Sequence, residues 1–142
     1  MKINRLIFYL IPLLFICLIT SIIGCSGETT TEQINEKIST QQAFELFEEN
    51  KDNQDFIIID VRTPEEFTAE HLPMAININL SSATFREELN KLDKNKTYLI
   101  YCRSGSRSAQ ALAIMKELNF KEGYDAGGIT EWIEAGFPTD TT

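Results

Sequence analysis

One short stretch, residues 102–107, combines a cysteine, two arginines and small polar residues. It follows an apolar run typical of a β-strand and precedes a run with helical periodicity. In that position the loop N–H groups can converge on one point, and the helix start adds partial positive charge there. A thiol at that point ionises more readily than a free one. The pattern predicts that Cys102 is a nucleophile beside an anion-binding loop. The predicted binding residues are Arg103, Ser104, Gly105, Ser106 and Arg107.

The elements that would hold this loop alternate between strands and helices. Residues 56–59 and 97–101 are almost wholly apolar, as in strands buried on both faces. The pattern therefore predicts an α/β domain with a mainly parallel sheet covered on both faces. Predicted strands cover residues 56–59, 75–78, 97–101 and 122–126, and predicted helices cover residues 39–50, 63–70, 82–92, 108–119 and 129–135.

Asp60 and Cys102 both follow predicted strands, and ligands of parallel sheets bind beyond those carboxyl ends. Asp60 and Arg62 are therefore candidates for a substrate-binding pair. We favour a structural role, because polar side chains at strand–helix junctions often cap the helix and orient the chain. Arg62 and Glu66 are four residues apart, which predicts an ion pair that braces the junction.

Two further side chains are interpreted as structural. His71 is the only histidine, but a thiolate activated by a loop and a helix does not require a general base. We expect His71 to form hydrogen bonds in a connector, and Trp132 to pack in the core beside Gly127-Gly128.

The overall composition narrows the possible functions. The chain of 142 residues has 13 basic and 21 acidic side chains, for a net charge of −8. This balance argues against a general nucleic-acid binder, which needs a basic surface. The length suffices for one domain with a real core. No His/Cys cluster has metal-ligand spacing, so we expect no metal.

The first 25 residues are organised as a targeting segment. Lys2 and Arg5 precede an apolar run over residues 6–23, which ends in Gly24-Cys25. The end of this run resembles the lipobox of bacterial lipoproteins, in which the cysteine is lipidated and becomes the new N-terminus. The resemblance implies a signal peptide over residues 1–24, lipidation of Cys25, and an exported protein anchored at a membrane. An uncleaved membrane anchor is the alternative, because the run is long enough to span a bilayer.

The segment after this cysteine is polar and lacks an apolar period. We expect a flexible tether over residues 25–37 and a folded domain over residues 38–140. With the signal peptide removed and Cys25 lipidated, Cys102 would be the only free thiol. An unpaired cysteine in an exported domain is a candidate for reactivity.

Several separated motifs, taken in order, resemble a single-domain rhodanese, a sulfurtransferase module. The motifs are Asp60-Val61-Arg62 with Glu66-Phe67, the HLPMAIN stretch of residues 71–77, the YCRSGSRS stretch of residues 101–108, and Gly127-Gly128 with Trp132. Each motif is weak alone, but their order is specific. Met74 departs from the pattern, since the family usually has glycine there, and we expect a local backbone change.

The resemblance implies a rhodanese-like fold with a mainly parallel sheet of about five strands and helices on both faces. It also implies covalent ping-pong catalysis. The Cys102 thiolate would take the outer sulfur of thiosulfate or a related small anion, and the persulfide would pass that sulfur to a thiol or protein acceptor. Arg103 and Arg107 would add positive charge for the oxyanion group. The resemblance implies no metal and no organic cofactor.

Two other functions remain open for this pattern. Cysteine-dependent phosphatases and arsenate reductases typically have a larger ring, Cys-x5-Arg, whereas Cys102 and Arg107 form Cys-x4-Arg here. The smaller ring favours sulfur transfer over phosphate or arsenate chemistry. A non-enzymatic module that relays sulfur to a protein partner is the second alternative.

Overall fold

The computed structural model describes residues 32–142. In this part of the chain a five-stranded sheet has the order β1-β5-β4-β2-β3, and every neighbouring pair is parallel. The strands are β1 (Ile34–Lys37), β2 (Phe56–Asp60), β3 (Ile76–Asn77), β4 (Thr97–Cys102) and β5 (Glu122–Gly128). The helices are α1 (Thr40–Asn50), α2 (Pro64–Ala69), α3 (Phe85–Asn90), α4 (Ser106–Glu117) and α5 (Ile129–Glu134).

Each face of the sheet has its own hydrophobic core, because side chains alternate along a strand. In β4, Tyr98 and Ile100 pack with α3 and α4, whereas Leu99 and Tyr101 pack with α1 and α5. Helices therefore cover both faces, and the predicted α/β class with a parallel sheet is confirmed. Trp132 is 2 % exposed and donates through Nε1–H to the Pro138 carbonyl at 2.8 Å, which agrees with its predicted place in the core.

Within the predicted flexible tether of residues 25–37, residues 34–37 instead form strand β1. Its four residues pair in parallel with the start of β5. Ile34, its first residue, and Ile38, which follows it, donate N–H groups to Lys121 O and Asp125 O at 2.8 and 3.0 Å. An edge strand is held largely by such main-chain bonds, and its side chains here are mostly exposed. The strand has no apolar alternation for that reason, and the sequence pattern did not indicate it. The folded part begins before the predicted residue 38.

Two helix starts are closed by capping boxes. Ser39 and Gln42 form a reciprocal capping box at α1. Thr63 and Glu66 form a second capping box at α2, with Pro64 in its first turn. Each box satisfies N–H groups that the first turn would otherwise leave unpaired.

Other boundaries differ from the predictions by a few residues. Helix α4 begins at Ser106 rather than 108, because Gly105 adopts a left-handed conformation (φ 95°) immediately before it. Strand β5 continues to Gly128 rather than ending at the predicted residue 126, so Gly127-Gly128 lies within the strand. Helix α3 covers six residues rather than the predicted 82–92, and its N-cap residue forms no side-chain capping bond.

The connector between α2 and β3 contains a turn with an unusual residue. Ala75 N donates to Leu72 O at 3.2 Å, Pro73 is the second residue of the turn, and Met74 is the third, with φ 64°. A proline followed by a residue with positive φ is typical of a type II turn, in which glycine is the usual third residue. Met74 therefore occupies a backbone conformation that glycine adopts without strain.

His71 ties this connector to the C-terminal residues. Its Nδ1 lies 2.9 Å from Phe67 O and its ring stacks on Phe67 at 4.0 Å. The backbone of His71 also exchanges two hydrogen bonds with Asp140, at 2.9 and 2.8 Å. The predicted hydrogen-bonding role of His71 is confirmed.

The predicted signal peptide over residues 1–24 and the predicted lipidation site Cys25 lie outside the described residues. Within residues 32–142, none of the helices is both long and apolar enough to cross a membrane.

Candidate active site

The sulfur of Cys102 lies at the carboxyl end of β4, where the sheet register shifts between Ile100 and Cys102. Cys102 is 1 % exposed, and its Sγ accepts a hydrogen bond from Gly105 N at 3.1 Å. The loop over residues 103–105 therefore curls over the sulfur and aims a backbone donor at it. This is the arrangement expected of a nucleophile beside an anion-binding loop.

The end of β5 supports the back of this loop. A Cβ atom on Gly128 would lie 2.5 Å from Arg103 O and 2.8 Å from Ser104 Cα, so only glycine fits there. Thr130 donates to the same Arg103 carbonyl from Oγ1 at 3.0 Å and from its backbone N at 3.4 Å. A glycine at a strand end can indicate the close approach of another backbone, as Gly128 does here.

Ser108, in the first turn of α4, is buried behind the loop. Its Oγ lies 3.0 Å from Gly105 O and 3.3 Å from Gly127 O, and it donates toward these carbonyls. A single hydroxyl proton serves one acceptor at a time, so Ser108 can donate either to a carbonyl or to a nearby thiolate. No functional role was predicted for this residue, although a small polar side chain on the buried face of a helix was a possible signal.

The pKa of Cys102 reflects two opposing effects. Burial acts to raise it, whereas hydrogen bonds from Ser108, Ser104 and Gly105 to the sulfur act to lower it. The hydrogen bonds prevail, and the pKa of the thiol lies below its usual value. A larger share of Cys102 is therefore thiolate, the nucleophilic form, at neutral pH.

Arg107 forms a bidentate ion pair with Glu66. Its NH1 donates to Glu66 Oε2 at 2.7 Å and its NH2 to Oε1 at 2.8 Å. The predicted pair between Arg62 and Glu66 was wrong, because α4 brings an arginine from 41 residues away to the carboxylate. Hydrogen bonds from Arg107 lower the pKa of Glu66 to about 2, with burial acting in the opposite direction.

Arg62 pairs with Asp60 instead. Both Nε and NH2 of Arg62 donate to the Asp60 carboxylate, at 2.9 and 2.6 Å, and the backbone N of Arg62 donates to Oδ1 at 2.8 Å. Asp60 is fully buried and Arg62 is 5 % exposed. The Asn77 amide donates to the carbonyls of both residues, at 3.0 and 2.9 Å. This cluster joins the carboxyl end of β2 to β3.

The remaining loop residues lie at the rim. Arg103, Ser104 and Ser106 are exposed, and Arg107 is half-buried. Arg103 forms no ion pair with any residue in the range 32–142. In the same range, no group of three or more His, Cys, Asp or Glu side chains has the arrangement of a metal site. The structure brings all the predicted loop residues together and, within the described residues, leaves Arg103 at the mouth without an ion pair.

Comparison with known proteins identifies the family. The family model of the rhodanese-like domain matches residues 43–135. The chain belongs to the rhodanese-like domain family. This rhodanese-like domain accounts for the whole sheet except β1.

Relatives and solved structures agree with that assignment. Thiosulfate sulfurtransferase PspE of Escherichia coli (strain K12) is 40% identical over 73 residues, 51% of this chain and 70% of that protein. Thiosulfate sulfurtransferase GlpE of Coxiella burnetii (strain RSA 331) is 36% identical over 104 residues, 72% of this chain and 91% of that protein. A rhodanese-related protein from Thermoplasma volcanium superposes with a TM-score of 0.63 at 30% identity, covering 75% of this chain and 99% of that chain. At the level of the family, this rhodanese-like domain is a rhodanese-type sulfurtransferase.

Proposed function

We propose that this chain moves a sulfane sulfur from thiosulfate, or a related small anion, to a thiophilic acceptor through a persulfide on Cys102. One observation supports this most strongly. The buried Cys102 sulfur accepts the Gly105 N–H bond at 3.1 Å, in a loop whose hydrogen bonds lower the pKa of the thiol. A thiolate held among backbone donors is suited to attack an anionic donor and then to hold a persulfide anion.

The first half-reaction is a displacement at sulfur. The Cys102 thiolate attacks the outer sulfur of thiosulfate and forms a new S–S bond. The old S–S bond breaks, its electron pair leaves with sulfite, and Cys102 carries a persulfide anion. The charge is the same before and after, so the step needs no proton, metal or redox partner.

The second half-reaction returns the enzyme to its starting state. A thiophilic nucleophile, such as a thiol or a protein acceptor, takes the outer sulfur and releases the Cys102 thiolate. Cyanide serves the same purpose in an assay and leaves as thiocyanate. The exposed rim of the loop is compatible with either a small thiol or a protein thiol as acceptor.

The loop residues have distinct proposed roles. Gly105 supplies a backbone donor to the sulfur, and Arg103 offers a positive charge at the mouth that no acidic side chain in residues 32–142 pairs with. Arg107 has donors that Glu66 does not use, because a guanidinium has five N–H groups. Ser104 and Ser106 are exposed at the rim, where their hydroxyl groups can contact the donor.

The test uses the domain over residues 32–142 with thiosulfate. We expect the intact mass to rise by one sulfur atom, and thiocyanate to form when cyanide is added. Cys102→Ser should abolish both signals, because a serine hydroxyl cannot replace the thiolate as a nucleophile here. A wild-type protein that gains no sulfur and forms no thiocyanate would overturn the enzyme assignment.

The alternatives have their own signatures in the same preparation. If the wild type hydrolysed an aryl phosphate or reduced arsenate, and Cys102→Ser did not, the function would be that of a phosphatase or an arsenate reductase. Persulfide formation without turnover of cyanide or small thiols, together with sulfur transfer to one specific protein, would favour the relay module. The Cys-x4-Arg ring and the sulfurtransferase relatives support the first function.

We also propose that the domain is exported and anchored at a membrane through lipid on Cys25. The basic residues, apolar run and Gly24-Cys25 of the first 25 residues support this. Metabolic lipid labelling should mark the full chain and vanish in Cys25→Ala. An N-terminal membrane anchor would instead be favoured if the Cys25→Ala chain, without lipid label and without cleavage, stayed in the membrane to the same extent as the wild type.

A further inference from the structure

Glu66 lies outside the catalytic loop, yet its carboxylate holds the arginine that ends that loop. Resting on the proposed function, we propose that Glu66 is a specificity-determining residue that sets how much negative charge the sulfur donor may carry. Its carboxylate balances the charge of the Arg107 guanidinium, from which it accepts two hydrogen bonds of 2.7 and 2.8 Å.

The geometry indicates how the pair divides its contacts. Glu66 Oε2 accepts both from Arg107 NH1 and from the Thr63 backbone N, at 2.7 and 3.1 Å, and Oε1 accepts from Arg107 NH2. One carboxylate therefore caps α2 and fixes the start of α4. The side chains of Glu66 and Arg107 are 29 and 27 % exposed, so their charges remain within reach of the pocket.

The cap alone does not explain a carboxylate at this position. Helix α1 of the same chain has an equivalent capping box, in which the third position is Gln42. A neutral amide therefore completes the box as well as a carboxylate does. What distinguishes Glu66 from Gln42 is the arginine opposite it, so the negative charge of Glu66 is directed at Arg107.

The charges around Cys102 can be counted from these pairs. Asp60 and Arg62 neutralise each other in the core, and Glu66 and Arg107 do so beside the loop. The exposed Arg103 opposes the charge of the Cys102 thiolate, whereas the carboxylates of Asp125 and Glu131, which lie beside Gly127, add negative charge. Removing the charge of Glu66 makes the site more positive by one charge, and this change favours a dianion over a monoanion.

The experiment compares two donors that deliver the same outer sulfur. Thiosulfate is a dianion, and benzenethiosulfonate is a monoanion that leaves as benzenesulfinate. The readout is the ratio of kcat/KM for the dianion to kcat/KM for the monoanion. Glu66→Gln should raise kcat/KM by about fivefold for each negative charge of the donor, and the ratio therefore by about fivefold.

Control variants separate charge from structure. Thr63→Ala removes the cap of α2 but keeps the Glu66–Arg107 pair, and it should leave the ratio unchanged. Glu49→Gln makes the same change of net charge in the last turn of α1. This turn leads to the start of β2, at the amino end of the strands, whereas the loop lies at their carboxyl end. It should also leave the ratio unchanged. A defect in folding alone would lower both kcat/KM values together.

The outcomes distinguish the two proposals. If the wild type forms no persulfide with either donor, the proposed function fails. If it uses both donors but the ratio is the same in Glu66→Gln, or moves equally in Glu49→Gln, the inference about Glu66 is overturned. Should Glu66→Gln not fold, Glu66→Ala removes the same charge and must shift the ratio in the same direction.

Discussion

Two arginine–carboxylate pairs lie at the carboxyl end of the sheet and differ in one respect that decides their roles. Asp60–Arg62 is buried, with side chains 0 and 6 % exposed, whereas Glu66–Arg107 is partly open, at 29 and 27 %. Both arginines are bidentate, and both pairs include a residue of the β2–α2 junction. Two pairs of the same chemistry therefore differ in whether their charges can reach a ligand.

The physical reason is solvent access. A buried pair has lost its hydration, so each charge depends on the other and neither is free to meet a ligand. A partly open pair keeps contact with water and with the pocket, and its charges still act on neighbours. The charge of Cys102 is indeed among the influences that raise the pKa of Arg107, after the larger effects of Glu66 and of burial, which opposes them.

The largest effect on stability is expected from a substitution that breaks the buried pair. Arg62→Ala would leave the Asp60 carboxylate buried without its partner, and we expect a loss of about 3–5 kcal/mol in the free energy of unfolding. Urea unfolding followed by circular dichroism measures it. A loss below about 1 kcal/mol would mean that water reaches Asp60 and that the two pairs do not differ as described.

Breaking the open pair should affect activity more than stability. Arg107→Ala removes a positive charge and leaves Glu66 facing the pocket, so we expect kcat/KM for thiosulfate to fall by about thirtyfold. The free energy of unfolding should fall by only about 1 kcal/mol, as for a partly exposed ion pair. Equal stability losses in Arg107→Ala and Arg62→Ala would contradict the comparison.

The double variant sharpens this test, because it restores the charge balance. Arg107→Ala with Glu66→Gln removes one charge of each sign, and we expect it to recover part of the thiosulfate kcat/KM lost in Arg107→Ala alone. Steady-state kinetics of the four proteins form a double-mutant cycle. If the second substitution lowered kcat/KM further, Arg107 would act through its shape rather than through its charge.

The smallest expected effect is the acid response of the open pair. Arg107 lowers the pKa of Glu66 from 4.5 to about 2. Because folding lowers this pKa, the ionised carboxylate stabilises the folded state fully when the pH is above the pKa of Glu66 in the unfolded chain. That stabilisation is lost as the pH falls toward about 2. Wild type should exceed Glu66→Gln by about 1 kcal/mol in the free energy of unfolding at pH 6, with the difference vanishing near pH 2. A constant difference across that range would count against the pair.

Local sequence patterns predicted the elements that depend on neighbouring residues. The starts of α1 and α2 follow from local patterns, because the N-cap residues Ser39 and Thr63 act on N–H groups only three residues away. Strands β2 and β4 were readable from unbroken apolar runs, since a strand buried on both faces needs apolar side chains in every position. Strand β1 was missed, because a parallel edge strand can be held by main-chain bonds with polar side chains.

The ion-pair partners of the charged side chains could not be predicted from local sequence patterns. Arg62 has Glu66 four residues ahead, which suggests a helical pair, but Asp60 two residues behind lies closer in the fold. Glu66 then pairs with a residue 41 positions away. Long side chains select partners by distance in three dimensions, and sequence spacing is a guide only within one helix.

The sequence by itself determined the nature of the site. A cysteine between an apolar run and a helical run, followed by Arg103, Gly105 and Arg107, is sufficient to predict a thiolate in a loop of donors. That prediction depends on residues within six positions of one another, whose geometry follows from the strand, the loop and the helix.

Only the tertiary structure decided how the charge of that site is balanced. Glu66 reaches Arg107 because the parallel sheet places the starts of α2 and α4 at the same edge, although the two residues are far apart in sequence. The same packing brings Gly128 and Thr130 against the back of the loop. Charge balance and loop support depend on distances between elements, which the chain acquires only when the sheet assembles.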